Sequence, residues 1–211
     1  MLRFYRDLGV ETLPLEGEYL MTPAEILRHQ EQALQHCRKC KLCEGRTHVV
    51  FGSGNPTAEF VVIGEGPGAD EDAQGLPFVG RAGQLLTKML TAVSLTREEV
   101  FITNAVLCRP PGNRNPEPDE LAACAPFLAD KLAVIQPKVV LALGSVATQS
   151  LLRTKEAIGK LRGRLHPFGD AVLIPTFHPA FLLRNPGPEY KRMAWEDLKL
   201  ARREYDKRKT R

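Results

Sequence analysis

The chain is predicted to fold as an α/β protein, three layers αβα around a central four-stranded, mainly parallel sheet. Three observations carry this. Four short apolar runs, 59–63, 100–103, 138–143 and 171–175, have strand length and no polar alternation. Helical patterns separate or follow them, over 80–93, 119–135, 145–152 and 189–207. Short buried strands alternating with helices suit a parallel sheet covered on both faces. The 211 residues contain no internal repeat and no low-complexity linker. One domain is therefore expected over 21–211, preceded by an extension, 1–20, whose order the sequence leaves open.

The elements follow in order. Thr22-Pro23-Ala24-Glu25 announces a helix, with Thr22 as cap, Pro23 at the first helical position and Glu25 closing a capping box. That helix should run to about Cys37. Each predicted strand then ends in a polar turn: Gly64-Glu65-Gly66-Pro67-Gly68 after the first, Asn104 after the second, Gly144-Ser145 after the third, Phe177-His178-Pro179 after the fourth. Right-handed crossovers bring all four strand ends to one edge. Ligands of open α/β sheets bind outside that edge. Glu65, Asn104 and His178 are therefore expected to meet, although far apart in the chain.

Composition narrows the setting. The chain is 43% hydrophobic, enough for a sizeable core, and has no apolar run long enough for a membrane span. Met1 to Val10 is mixed and charged, unlike a secretory signal, so a cytosolic, reducing compartment is expected. There, cysteines more often hold metals than form disulfides. Cys37 and Cys40 form a close pair, Cys108 and Cys124 lie 15 residues apart, and Cys43 is left over. Two neighbouring thiolates suit zinc or an iron–sulfur cluster. The net charge is +4, and Lys199 to Arg211 holds seven Lys or Arg against two acids, leaving the remainder near neutral. That tail reads either as a phosphate-contacting surface or as a solvated helix face.

The strand ends have chemistry to offer. The first loop is glycine-rich but acidic, with Glu65, Asp70, Glu71 and Asp72, and no Gly-Lys-Ser/Thr follows, so it is not a phosphate cradle. A carboxylate there suits orienting water; the competing reading makes Glu71 or Asp72 helix-capping acids. Asn104 carries a donor and an acceptor that match the O4 and N3–H edge of uracil, whereas cytosine offers the reverse polarity. Alternatively Asn104 caps a turn. His178, aimed by Pro179, can donate a hydrogen bond to a developing anion. Phe78 offers either a stacking face or core packing; base–aromatic stacking is worth about 1–3 kcal/mol.

Taken together these segments resemble the family 4 uracil-DNA glycosylases, the thermostable iron–sulfur type, over roughly 24–200. The resemblance is carried by Cys37-x-x-Cys40, Glu44-Gly45-Arg46-Thr47, Val62 to Gly68 with Glu71-Asp72, Gly75-x-Pro77-Phe78-Val79-Gly80, Ile102-Thr103-Asn104, Cys108-Arg109-Pro110-Pro111, Asn113-Arg114, Cys124 and Phe177-His178-Pro179-Ala180. It implies a uracil pocket of Glu65, Gly66, Pro67, Phe78, Asn104 and His178, with Glu65, Asn104 and His178 catalytic. It also implies a [4Fe-4S] cluster on Cys37, Cys40, Cys108 and Cys124, with Cys43 outside the ligand set.

The expected activity is removal of uracil from single- or double-stranded DNA, leaving an abasic site, by a monomer working in the cytoplasm at the nucleoid. Flipping the base costs a few kcal/mol. Leu182, Leu183 or Arg184 is expected to fill the gap or grip a phosphate. No nucleophilic lysine stands out, so a monofunctional enzyme is expected. A related covalent-trapping subgroup has a reactive histidine in an inserted loop; Arg109 to Asp119 holds none, so ordinary turnover is expected. The cluster is read as a brace presenting basic residues to DNA. Rival readings are a zinc or iron–sulfur nucleic-acid-binding module without catalysis, and a glycosylase for a broader set of deaminated bases.

Overall fold

The structure is a computed structural model that describes residues 21–209; the predicted extension, 1–20, lies outside the described residues. The helix expected after Thr22 is α1, Pro23–Leu34, and its capping box is formed as predicted: Glu25 N–H donates to Thr22 Oγ1, and Thr22 N–H donates to the Glu25 carboxylate at 2.8 Å. The four apolar runs become β2 (Phe60–Gly64), β3 (Phe101–Asn104), β4 (Val139–Leu143) and β6 (Ala171–Thr176), all parallel to one another. The long helical patterns become α3 (Arg81–Ala92), α4 (Pro118–Ile135), α5 (Gly144–Leu152) and α8 (Pro188–Lys209).

Among the described residues the expected four-stranded sheet is corrected to six strands by β1 (Ser53–Gly54) and β5 (His166–Phe168), in the order β1-β3-β2-β4-β6-β5. The additions are antiparallel edges: β1 on β3, and β5 in a hairpin with β6. Neither has a continuous apolar run, and Pro167 inside β5 is tolerated only because an edge strand leaves one side of its backbone unpaired. Among the described residues, short helices also form outside the predicted elements: α2 (Ala69–Gln74), α6 (Ile158–Leu161) and α7 (Pro179–Arg184).

Strand alternation sends side chains to two cores. On one face Phe60, Val62, Ile102, Leu141 and Ile174 pack with α3, α7 and α8 through Leu86, Leu90, Leu182, Leu198 and Tyr205. On the other, Val61, Ile63, Phe101, Val140 and Leu173 pack with α1 and α4 through Leu27, Leu34, Cys124 and Leu128. Three layers result, as predicted. The register aligns the strand ends, with Gly64 opposite Asn104 and Leu143 opposite Thr176. The β6 end is anchored by the buried Asp197 carboxylate, which accepts from Thr176 Oγ1 at 2.8 Å and from Arg162 Nη2 and Nε at 2.6 and 2.9 Å.

Candidate active site and cysteine arm

Pairing between β2 and β3 continues past the strand ends: Ala105 N–H donates to Gly64 O at 2.9 Å and Val106 N–H to Glu65 O at 3.1 Å. This fixes the Glu65 loop beside Asn104. The two strand ends, the Phe78 turn and the start of α7 enclose a cavity of about 310 Å³. Glu65, Asn104 and His178, which were expected to meet, line it, and so do Gly66, Pro67 and Phe78 of the implied pocket. Gly64 makes this possible, because a Cβ there would stand 2.4 Å from Asn104 Oδ1 and 2.5 Å from Phe78 Cζ.

Asn104 is 1% exposed, and its Oδ1 is buried without a hydrogen-bond partner. Such an orphan costs free energy unless something fills the cavity to meet it. His178 caps α7, its Nδ1 accepting from Ala180 N–H at 3.1 Å. An acceptor at Nδ1 puts the proton of the neutral ring on Nε2. Burial, helped by the positive Arg184, pushes the imidazole down to about 4, so the ring is neutral at physiological pH. The Phe78 and His178 rings lie 5.7 Å apart, tilted by 32°. Burial raises the Glu65 carboxyl above the usual carboxylate range, against the opposing pull of Arg184.

Two of the three other acids of the first loop, Glu71 and Asp72, are structural. Glu71 Oε1 accepts from Val79 and Gly80 N–H, both at 2.9 Å. Asp72 is buried, and its Oδ1 accepts from Thr47 N–H at 2.9 Å. Both acids therefore tie the loop to backbone elsewhere, Glu71 just ahead of α3 and Asp72 at Thr47, and the helix-capping bonds expected of them do not form; Glu65 lines the cavity. Of the three residues expected to touch DNA, Leu182 is corrected: at 4% exposure it faces the core between α7, α3 and α8. Leu183 is 40% exposed, and the exposed Arg184 lines the cavity.

On the opposite face of the sheet the cysteines gather. Cys108 and Cys124 are buried, and Cys37 and Cys40 pack against the same apolar cluster. Cys43 sits in a 3-10 turn, Lys41–Cys43, outside that cluster. All five are free thiols. Burial raises Cys40 and Cys108, the latter despite Arg46, whose Nη1 donates to Cys108 Sγ at 3.2 Å. Burial also pushes Cys124 up to about 12, with further increments from the Cys108, Cys40 and Cys37 charges. Four thiols from three chain segments, two buried and two half-buried, lie within range of one another's charge, a donor set that suits a thiolate-held metal centre supplying positive charge. Among the described residues, no three His, Cys, Asp or Glu side chains are gathered tightly enough to hold one metal ion.

A charge network that sequence reasoning missed joins the two regions. Lys41, between Cys40 and Cys43, pairs with Glu117 and reaches Glu120 at 4.0 Å. Glu120 is fully buried and takes a two-pronged contact from Arg114 at 2.7 and 2.8 Å, which holds its carboxyl down at about 2. Arg114 in turn lines the cavity. The basic tail, by contrast, is largely spent within α8: Arg202 pairs with Asp206, and Lys207 and Arg208 with Glu204.

Comparison with known proteins agrees with this geometry. Residues 51–199 match the model of the uracil DNA glycosylase superfamily. The type-4 uracil-DNA glycosylase of Thermotoga maritima is 43% identical over 87% of this chain and 96% of its own length. That of Saccharolobus solfataricus is 46% identical over 72% of this chain and 75% of its own. A type-5 uracil-DNA glycosylase of Thermus thermophilus is 32% identical over 73% of this chain and 79% of its own.

Proposed function

The chain belongs to the uracil DNA glycosylase superfamily, and we propose that within it the chain is a type-4 enzyme that hydrolyses the N-glycosidic bond of uracil in DNA and leaves an abasic site. The observation that carries this reading is the buried, unpartnered Oδ1 of Asn104 in a cavity of nucleobase size. Uracil N3–H supplies the missing donor, and its O4 accepts from the Asn104 amide N–H; cytosine has the opposite polarity at both atoms. The ring stacks on Phe78.

The reaction is the addition of water across the bond between the sugar C1′ and uracil N1. The flipped base enters the cavity after leaving the stack. As the C1′–N1 bond breaks, its electron pair moves into the ring and uracil leaves as an anion. The neutral His178 donates from Nε2 to the carbonyl oxygen that gains charge, a stabilisation that a low-dielectric site makes large. The Glu65 carboxylate orients the water that adds to C1′ and receives its proton. No step uses a lysine nucleophile, so one activity is expected and not a coupled strand cleavage. Leu183 fills the gap in the duplex, and Arg184 at the mouth of the cavity meets a phosphate. The enzyme works as a monomer, in the cytoplasm at the nucleoid.

Cys37, Cys40, Cys108 and Cys124 would hold a [4Fe-4S] cluster. Their surroundings support this: Cys108 and Cys124 are buried in the apolar cluster against which Cys37 and Cys40 pack, and Arg46 Nη1 donates to Cys108 Sγ at 3.2 Å. When bound, the cluster supplies structural cross-linking and compensating charge. The reaction is assigned to the strand ends. The test is uracil release from single- and double-stranded DNA, alongside hypoxanthine, xanthine and mismatched thymine. Uracil alone should be released, and both Asn104→Ala and His178→Ala should be strongly impaired. Unchanged rates in both variants would mean that the cavity is not the uracil pocket.

A further inference from the structure

One wall of the cavity is strained. Phe78 has φ +54, in the left-handed region that a bulky residue rarely adopts. Such a conformation persists only where the surroundings over-determine it. Two side chains do so from opposite sides of the turn. Glu71 takes the two N–H groups that follow Phe78. Arg97, in the turn after α3, takes the two carbonyls that precede them: Nη2 donates to Pro77 O at 2.7 Å and Nη1 to Phe78 O at 3.1 Å. Gly83 leaves the room, since a Cβ there would lie 1.8 Å from Phe78 O. Arg97 itself does not line the cavity. It lies behind Phe78, in a shallow depression with Leu76, Val79 and Thr87.

We propose that Arg97 is a positioning residue for uracil recognition: its guanidinium grips the Pro77 and Phe78 carbonyls and so sets the Phe78 ring at the plane on which the base stacks. This rests on the cavity being the uracil pocket. Arginine suits the task because its planar fork spans two acceptors at once, whereas a lysine ammonium is a point donor on a flexible stem. The ring has little latitude. Its Cζ crowds the site that a Gly64 Cβ would occupy, beside Asn104 Oδ1, and the His178 ring stands 5.7 Å away. A shift of the order of an ångström there would tilt the base away from Asn104 and His178 together, an error that costs about 100-fold in rate.

The experiment compares wild type, Arg97→Met, Arg97→Lys, Phe78→Ala and the Phe78→Ala/Arg97→Met double variant. Uracil release, inhibition by free uracil and affinity for abasic-site DNA are measured on each. Arg97→Met is expected to lower kcat/KM by about 10–100-fold and to weaken inhibition by free uracil in parallel, with affinity for abasic-site DNA unchanged. Arg97→Lys should fall between it and wild type. The double variant should match Phe78→Ala, because a residue acting through Phe78 has nothing left to act on. Equal losses from Arg97→Met in the presence and absence of Phe78, or undiminished inhibition by free uracil, would overturn the proposal. Should Arg97→Met not fold, Arg97→Lys carries the same comparison at smaller amplitude. A wild-type protein that releases no uracil would instead overturn the reading of the cavity itself.

Discussion

The cavity at the strand ends and the cysteine arm on the opposite face of the sheet treat their polar groups in opposite ways. In the cavity, hydrogen-bonding capacity is withheld: among the described residues Asn104 Oδ1 is buried and unpartnered, and His178 bonds through Nδ1 alone. Around the cysteines it is consumed: Lys41, Arg114, Glu117 and Glu120 bond to one another, and Arg46 donates to Cys108. Unmet polar groups are a cost to folding, and they persist where a ligand repays them. Satisfied networks stiffen what they join. The contrast is what the proposed function requires, a site poised for a ligand and a brace that holds it in shape, and Arg114 touches both regions.

The largest effect expected of that division is on rate. Asn104→Ala should reduce single-turnover uracil release by at least about 10²–10³-fold, the loss typical of removing one preorganised polar group. Thermal stability should not fall, since the variant removes an orphaned acceptor. Next in size is an effect on stability. Cys108→Ser or Cys124→Ser should abolish the brown colour of a [4Fe-4S] protein and lower Tm by about 10 °C, read by calorimetry. The rate per folded molecule at a temperature well below Tm should stay within about 10-fold of wild type. A bound zinc and a colourless wild type would break the cluster assignment without touching the cavity.

Glu120 sharpens the boundary. Its carboxyl is held at about 2 in the folded chain by Arg114, below its ordinary value of 4.5. The unfolded chain therefore takes up this proton first as pH falls. The stabilisation is complete above about pH 4.5 and is lost as pH drops towards 2. Glu120→Gln should lower Tm by a few degrees at pH 7 and flatten the loss of stability below pH 4.5, in thermal melts across pH. His178 makes a matching prediction for activity. With its imidazole pushed down to about 4, kcat/KM should show no inflection near 6.5 that His178→Asn removes. The acid limb belongs to the raised carboxyl of Glu65, and Glu65→Gln should abolish it together with most of the activity. Smallest of all, Leu183→Ala should weaken release from duplex DNA a few-fold and leave single-stranded DNA unaffected, because only a duplex has a gap to fill.

The central sheet was legible because β2, β3, β4 and β6 are buried on both faces and so read as unbroken apolar runs. The β1 and β5 edges were not, since Ser53–Gly54 and His166–Phe168 are held by pairing geometry and carry no pattern of their own. The meeting of Glu65, Asn104 and His178 followed from topology, which needs only the strand ends. What topology cannot supply is side-chain direction. Leu182 and Leu183 are adjacent and chemically alike, and only the appearance of α7 turns one inward. Arg97, Arg114 and Glu120 lay hidden for a related reason. Arg97 acts on backbone 20 residues back in the chain, and Arg114 meets Glu120 across the entry to α4 at a spacing of six, which is not a helical repeat.

The most direct test of the division between site and brace sets Asn104→Ala beside Cys124→Ser. Single-turnover uracil release is followed at a temperature where both are folded, with Tm and visible absorbance recorded on the same samples. Asn104→Ala should lose its rate while keeping Tm and colour, and Cys124→Ser should lose colour and Tm while keeping most of its rate. An Asn104→Ala protein that releases uracil as fast as wild type, or a folded Cys124→Ser protein as inactive as Asn104→Ala, would contradict it.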